Sequence, residues 1–376
     1  MGSHKAVTLK DVAEKAGVSQ SVVSTVLSGR NNGIFVSDST RSKVVAAAEE
    51  LGYESRHRAV PAIRKPTGSR HGDLRESRLV GVLLGRRFGG TLFTDIFYGV
   101  NSVLSEKGYH PIVLDTYADS YGRAAEKEAE CLEYARRHGF SGVILWHEGG
   151  TMNVPLIQEL REEMPIVAID RRVTGIELDF VGTDNFQGAY VATNHLIEQG
   201  HRRIAHLTRL ETTEAAVGRL RGYQQALTDN GLEINPRHIL LALESGRRLD
   251  GQLMRQVFTA PDAPTAIFML ADFWAPAVFQ ELNQLGLRVP EDVALVGFDD
   301  VVQPGLEGLE LTSMAQDFER IGRTAAELIL QRIEDPTVNM ATAVYPAQLR
   351  IRRSSTAARR PPSVRATRRE PVLVIS

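Results

Sequence analysis

Between residues 7 and 53, hydrophobic positions recur at helical spacing in three short bursts: Leu9, Val12, Ala13 and Ala16, then Val23, Val26 and Leu27, then Val44, Val45, Ala48 and Leu51. Each burst carries its own start and stop signals. Thr8 can cap the first with Asp11 reaching back to it, and Gly17 supplies a left-handed turn at its end. Ser19 caps the second, and Ser37 opens the third, which Gly52 stops. Three such helices make a minimal core, and the second leaves Gln20, Ser21, Ser24, Thr25 and Ser28 on a short, polar, uncharged face.

From residue 79 the pattern changes to short apolar runs separated by amphipathic stretches. The runs at 79–84, 111–114, 142–145, 166–169, 204–207, 266–270 and 293–296 predict strands buried on both faces. Helices are predicted between them, at 96–107, 124–138, 189–199, 221–229 and 275–285. The alternation assigns the α/β class, with doubly wound parallel sheets and crossover helices on both sides. About 270 residues exceed one such unit, so two subdomains are expected. Between helices and sheets, Arg56, Arg58, Arg64, Lys65, Arg70, Arg75 and Arg78 are spread among Pro61, Pro66, Gly68 and Gly72. The predicted order is a helical headpiece at 5–53, a basic linker at 54–78, the two-lobed body at 79–353, and a disordered basic tail at 354–376 holding Pro361 and Pro362.

Charge sharpens this division. The formal total of -2 hides 13 basic and 8 acidic side chains in residues 1–78, 23 and 37 in 79–349, and 8 and 1 in 350–376, or +5, -14 and +7. A basic head on an acidic body permits polyanion binding at one end only. Cys131 is alone, which excludes an intrachain disulfide and a cysteine-based zinc cluster. With no run near the ~18 apolar residues of a membrane span and no secretory h-region, a cytoplasmic protein without a membrane partner is expected. Neither a dinucleotide-type glycine run, a phosphate-binding glycine loop nor a serine nucleophile elbow appears, which argues against an enzyme. His195, His201 and His206 lack zinc-ligand spacing, and no cofactor or metal is expected.

The Thr8 to Leu27 arrangement is that of a helix-turn-helix, whose second helix suits the major groove with its N-terminal polar residues at base edges. Gln20 could pair with adenine, while Ser21 and Thr25 discriminate less. Any capped helix pair also shows Ser and Gln to solvent, so this helix alone divides evenly between base reading and plain solvation. The basic flank tips the balance toward DNA.

Longer strings of residues then resemble a known family. Residues 8–19 (TLKDVAEKAGVS), Val23-Ser24, Val26-Leu27, Val36-Ser37 and 46–53 (AAAEELGY) look like the headpiece of LacI/GalR-type bacterial transcriptional regulators. The likeness continues through Gly200-His201-Arg202-Arg203-Ile204, Arg219-Leu220-Arg221-Gly222-Tyr223, residues 264–268 (PTAIF), residues 289–300 (VPEDVALVGFDD) and Leu311-Thr312-Ser313, covering about 7 to 353. It implies a homodimeric transcription factor on palindromic double-stranded operator DNA, a repressor by preference, with an activator on the same architecture left open. The body would be periplasmic-binding-protein-like, with a sugar or sugar-like effector between two lobes. The DNA-contact candidates are then Thr8, Lys10, Ser19, Gln20, Ser21, Ser24, Thr25, Ser28, Arg30 and Tyr53. Where the family often has Thr and Arg in the recognition helix, this chain has Val22 and Thr25, which predicts an altered operator. Pro61 sits inside the candidate hinge helix, where proline costs ~3 kcal/mol; a helix opening near Val60 would present Ile63 as a minor-groove wedge, and a shifted or absent hinge helix is expected.

For the effector the resemblance points to Leu92 and Phe93 after the first strand, Asp170 and Arg171 at the end of the fourth, Arg219 as the clamping arginine and Asp272 after the run at 266–270. Asp184 and Phe298 are further contacts. Ligands of open α/β sheets gather at strand C-terminal ends, and carboxylates with a guanidinium and an aromatic wall suit vicinal hydroxyls. Arg219 and Asp272 could equally form an interlobe ion pair. Ala271 stands where the family often has Asn, and Pro276 breaks the usual helix pattern. Two other readings fit the lobed body alone: a transport-type sugar-binding protein, and a sugar- or nucleoside-processing enzyme on the same fold.

Overall fold

The computed structural model describes residues 8–23, 40, 43–44, 47–48, 51, 77–85, 90–118, 121–209, 213–242, 249–301, 306 and 308–356. The chain divides into two compact units, Met1–His71 and Gly72–Ser376. The candidates Ser24, Thr25, Ser28, Arg30, Tyr53 and Ile63, nearly all of the 54–78 linker and the tail beyond 356 lie outside the described residues.

In the first unit the helix Leu9–Ala16 is closed by the expected capping box. The Thr8 N–H donates to Asp11 Oδ2 at 2.7 Å and the Asp11 N–H to Thr8 Oγ1 at 3.4 Å. Gly17, at φ 65, ends the helix by sending its N–H back to the carbonyls of Ala13 and Glu14. A second helix starts at residue 20, its first turn capped by Ser19 Oγ accepting from the Val22 N–H at 3.4 Å. Val12, Ala13, Val23, Val44, Ala47 and Ala48 meet as one small core.

The second unit holds two six-stranded sheets. In lobe 1, β1 (Leu79–Leu84), β2 (His110–Asp115), β3 (Gly142–Leu145), β4 (Ile166–Ile169), β5 (Asp179–Thr183) and β11 (Thr342–Tyr345) lie in the order β11-β5-β4-β3-β1-β2, all parallel. In lobe 2, β6 (Ile204–Arg209), β7 (Ile239–Ala242), β8 (Ala266–Met269), β9 (Ala294–Asp299), β10 (Thr312–Ala315) and β12 (Gln348–Arg350) follow the order β12-β10-β9-β8-β6-β7; only β12 runs antiparallel to its neighbour. The chain crosses between lobes three times, after β5, β10 and β11.

Unbroken apolar runs form these strands because each sheet is covered on both faces. Val80, Val82 and Leu84 of β1 enter one core with the helices Gly90–Glu106 and Phe318–Glu334, while Leu83 enters another with Leu132, Ile157 and Leu160 from the helices opposite. Lobe 2 repeats the plan: Ala205 and Leu207 face one core, Ile204 the other. In each lobe a helix pair touches through glycine. A Cβ on Gly99 would lie 2.1 Å from the Glu319 carbonyl oxygen, and one on Gly222 would lie 2.2 Å from that of Phe186.

The chain end corrects one expected boundary. Ser354 and Ser355, assigned to the tail, are buried in a turn at Arg353–Ser355. Ser354 Oγ accepts from the Thr312 N–H at 2.8 Å and donates to the Leu295 carbonyl at 2.6 Å, and Ser355 Oγ lies 2.8 Å from His195 Nε2. A hydroxyl that satisfies buried backbone groups and one that satisfies buried side chains belong to the packed body, which therefore extends through Ser355.

Candidate functional site

The C-terminal ends of the parallel strands bring one charged group together from both lobes. Arg219, on the helix Glu214–Asp229, is 5% exposed. Its Nε donates to Asn185 Oδ1 at 2.7 Å, its Nη1 to the Leu270 carbonyl oxygen, and Nη1 lies 3.5 Å from Asp299 Oδ1. The guanidinium carbon sits 3.6 Å from the centroid of the Phe298 ring. Among the described residues the side-chain hydrogen bonds of Arg219 run from Nε and Nη1.

Asp299 ends β9 and Asp170 follows β4, both buried. Burial pushes the Asp299 carboxyl up to about 6, against the pull of Arg219 and of the Gln316 side-chain amide, which donates to it at 2.7 Å. Asp170 is likewise raised by burial and partly offset by Arg171 and Arg219. Burial lowers Arg219 while Asp299, Asp170 and Asp272 raise it; a guanidinium remains charged throughout. Asp170, Asp299 and Asp300 hold φ of 60, 107 and 56, the left-handed region that costs a non-glycine residue about 1–3 kcal/mol and recurs at binding sites. Gln316 stands on the second crossing and also meets Thr183 Oγ1 at the end of β5. One amide thereby bridges the strand ends of the two lobes.

The expected residues divide. Arg219, Asp170 and Arg171 come together, with Arg171 Nε 3.8 Å from Asp170 and its guanidinium 6.0 Å from the Trp146 ring centroid. Phe298 is fully buried in the lobe 2 core and serves the group as the surface under Arg219. Leu92 is buried in a core of lobe 1, and Phe93 packs beside that core and stacks on Phe97 at 6.4 Å. Asp184 caps the helix Asn185–Glu198, accepting from the Gln187 N–H at 2.9 Å. Asp272 is turned inward at 1% exposure: Ser313 Oγ lies 2.7 and 2.9 Å from its two oxygens and the Val301 N–H donates at 3.0 Å. Burial, then the charge of Asp299, holds its carboxyl well above the usual range. It braces the ends of β8, β9 and β10, and it makes no ion pair with Arg219.

Asp299, Asn185 and Gln316 were missed. Asp299 stands inside the very string at 289–300 that carried the resemblance, directly after Phe298, so its strand-end position was available as a signal. Asn185 and Gln316 sit on crossings, which no local periodicity marks.

In the first unit Thr8, Lys10, Ser19, Gln20 and Ser21 are all exposed, and Lys10, Gly17, Ser19 and Gln20 line one shallow groove. Ser19 Oγ and Ser21 Oγ are 2.8 Å apart, so Ser21 is partly engaged within its own turn. Among the described residues no group of three His, Cys, Asp or Glu is placed to hold a metal ion, and no helix is long and apolar enough to cross a membrane. His206, pressed between Tyr223 and Phe268, bonds the Phe268 carbonyl and is driven down to about 4 by burial.

Known proteins match both units. The family described as "Bacterial regulatory proteins, lacI family" matches residues 8–55, and a "Periplasmic binding protein-like domain" matches residues 193–355. The ribose operon repressor of Haemophilus influenzae is 30% identical over 349 residues, 92% of this chain and 98% of the relative. Among solved structures, the transcriptional regulator CelR in complex with cellobiose shares 31% identity at a TM-score of 0.63, covering 93% of this chain and 99% of that one. The lac repressor dimer bound to operator and the anti-inducer ONPF shares 25% at 0.61, covering 94% and 100%.

Proposed function

The chain belongs to the LacI family of bacterial regulatory proteins, and from that premise we propose that it is a sequence-specific DNA-binding transcriptional repressor controlled by a sugar or sugar-like effector. It acts as a cytoplasmic homodimer on a palindromic double-stranded operator, one headpiece to each half-site. The observation that carries the effector half is Arg219. Its guanidinium is buried, stacked on Phe298 and aligned by Asn185, among the carboxylates of Asp299 and Asp170. Guanidinium donors beside carboxylate acceptors match vicinal hydroxyls, each of which can accept from one and donate to the other.

Because the group draws on both lobes, a ligand seated there binds one lobe arrangement better than another, the condition for shifting an equilibrium at all. Gln316, linked to Thr183 in lobe 1 and Asp299 in lobe 2, is the side chain through which occupancy reaches a crossing. The lobe arrangement in turn sets how two headpieces meet their half-sites. Coupling of about 10- to 100-fold in operator affinity is expected.

Fluorescence anisotropy on promoter DNA, with a panel of pentoses, hexoses and disaccharides, tests the reading. Arg219→Ala should keep operator affinity and lose the response to sugar. A response that survives the substitution overturns the Arg219 assignment, and operator binding unmoved by every sugar overturns effector control.

A further inference from the structure

Outside the Arg219 group the two lobes meet again, in a solvent-exposed place. Arg172, two residues past Asp170 in the segment between β4 and β5, belongs to lobe 1, and Glu214 opens the lobe 2 helix Glu214–Asp229 that carries Arg219. Arg172 Nε lies 3.3 Å from Glu214 Oε2. Apolar contact crosses between the lobes too: Val301, two residues past β9 of lobe 2, is buried in the core that Leu92 and Trp146 share in lobe 1.

Both ends of the ion pair are anchored. The Arg172 guanidinium carbon sits 3.9 Å from the centroid of the Phe180 ring, and Phe180 is a buried residue of β5. Gly182 makes that platform. A Cβ there would lie 2.5 Å from Phe180 Cζ, so the missing side chain is what gives the ring room along its own strand. The stack holds the cation on lobe 1. Glu214 is fixed to lobe 2 by the helix it opens, whose N-cap Thr213 accepts from the Ala216 N–H at 3.2 Å, and a carboxylate is favoured in that first turn. A pair anchored on both lobes is made only when the lobes stand close at this point.

Exposure separates this pair from the Arg219 group. Arg219, Asp170 and Asp299 are buried, where salt screens little, whereas the Arg172 and Glu214 side chains are 40% and 57% exposed, where it screens well. An uncharged sugar brings no charge of its own to be screened.

We propose that Arg172 and Glu214 are positioning residues for the effector: without touching it, their ion pair favours the lobe arrangement in which the Arg219 group is assembled, and thereby makes the affinity for an uncharged sugar depend on ionic strength. The inference rests on the effector reading above and adds a regulation of that site. Measured affinity scales with the share of the chain already in the binding arrangement, so whatever stabilises that arrangement strengthens binding. For an exposed pair the effect is about 2- to 5-fold.

Calorimetric titration with D-ribose, D-xylulose, D-glucose and cellobiose selects the tightest binder. That sugar is then titrated, at about 50 and about 500 mM NaCl, into wild type, Arg172→Gln, Glu214→Gln, the double variant and Arg219→Ala. At the lower salt each single variant should bind about 2- to 5-fold more weakly than wild type, and the double variant no more weakly than either, because the same pair is lost in all three. Raising the salt should weaken wild type toward the variants and leave the variants where they were. Three results overturn the pairing: Glu214→Gln binding as wild type at the lower salt, a double variant weakened by the product of the single effects, or salt weakening wild type and variants alike. The effector reading then still stands if Arg219→Ala abolishes binding. If no sugar binds the wild type, both fall.

Discussion

Asp299→Asn should make the ligand-free protein more stable at pH 8 while weakening its effector. The Asp299 carboxyl titrates at about 6 in the folded protein, because burial outweighs Arg219 and Gln316, against an ordinary value of 3.8. A carboxyl whose folded value is raised opposes folding once ionised. The penalty is absent well below 3.8, grows between 3.8 and about 6, and is full above that. At about 1.4 kcal/mol per tenfold change in the proton equilibrium, its size is about 3 kcal/mol at pH 8 and about half that at pH 5. Asparagine keeps the acceptor for Gln316 and removes the charge. Urea unfolding at the two pH values should therefore show the variant ahead by up to ~3 kcal/mol at pH 8, with the gap roughly halved at pH 5. A variant less stable than wild type at pH 8, or a gap that ignores pH, would refute the reasoning by showing that Arg219 more than compensates the buried charge. The same logic gives effector affinity a pH dependence of fixed sign. Hydroxyl donors favour the carboxylate form, so sugar should bind more tightly as pH rises through 6 and release a proton when it binds near that value.

Gly222→Ala should destabilise lobe 2 by roughly 1–3 kcal/mol, since its Cβ would fall 2.2 Å from the Phe186 carbonyl oxygen; Gly122→Ala, with nothing within 4 Å, should be neutral or slightly stabilising by thermal melting. A chain ending at residue 356 should melt like the full protein, whereas one ending at 353 should lose about 1–3 kcal/mol, because Thr312 and Leu295 lose the Ser354 hydroxyl. Gln20→Ala should cut discrimination at one base pair by about 1–3 kcal/mol, and Lys10→Ala should weaken all sequences alike and lower the salt slope by about 1, both measured on variant operators at several salt concentrations.

The strands of both sheet centres were legible because burial on two faces leaves an unbroken apolar run, as in Leu79–Leu84 and Ile166–Ile169. Of those that escaped, β7 at the sheet edge has such a run in Ile239–Ala242, and the others lack one. β5 begins on Asp179, a buried carboxylate that Arg332 satisfies at 2.6 Å from the distant helix Phe318–Glu334, so its polarity is cancelled by a partner invisible to any local window. β11 is half exposed along its length and β12 is only three residues long. The carboxylates of the site obey the same rule. Asp272 and Asp299 both stand at the end of a lobe 2 strand, and spacing ranks them equally. What separates them is Ser313, 41 positions away, which occupies both oxygens of Asp272, while Asp299 keeps its charge beside Arg219. Which acid at a strand end pairs with Arg219 and which braces the strands is thus decided by contacts from β10 and the second crossing, elements the sequence pattern marks least.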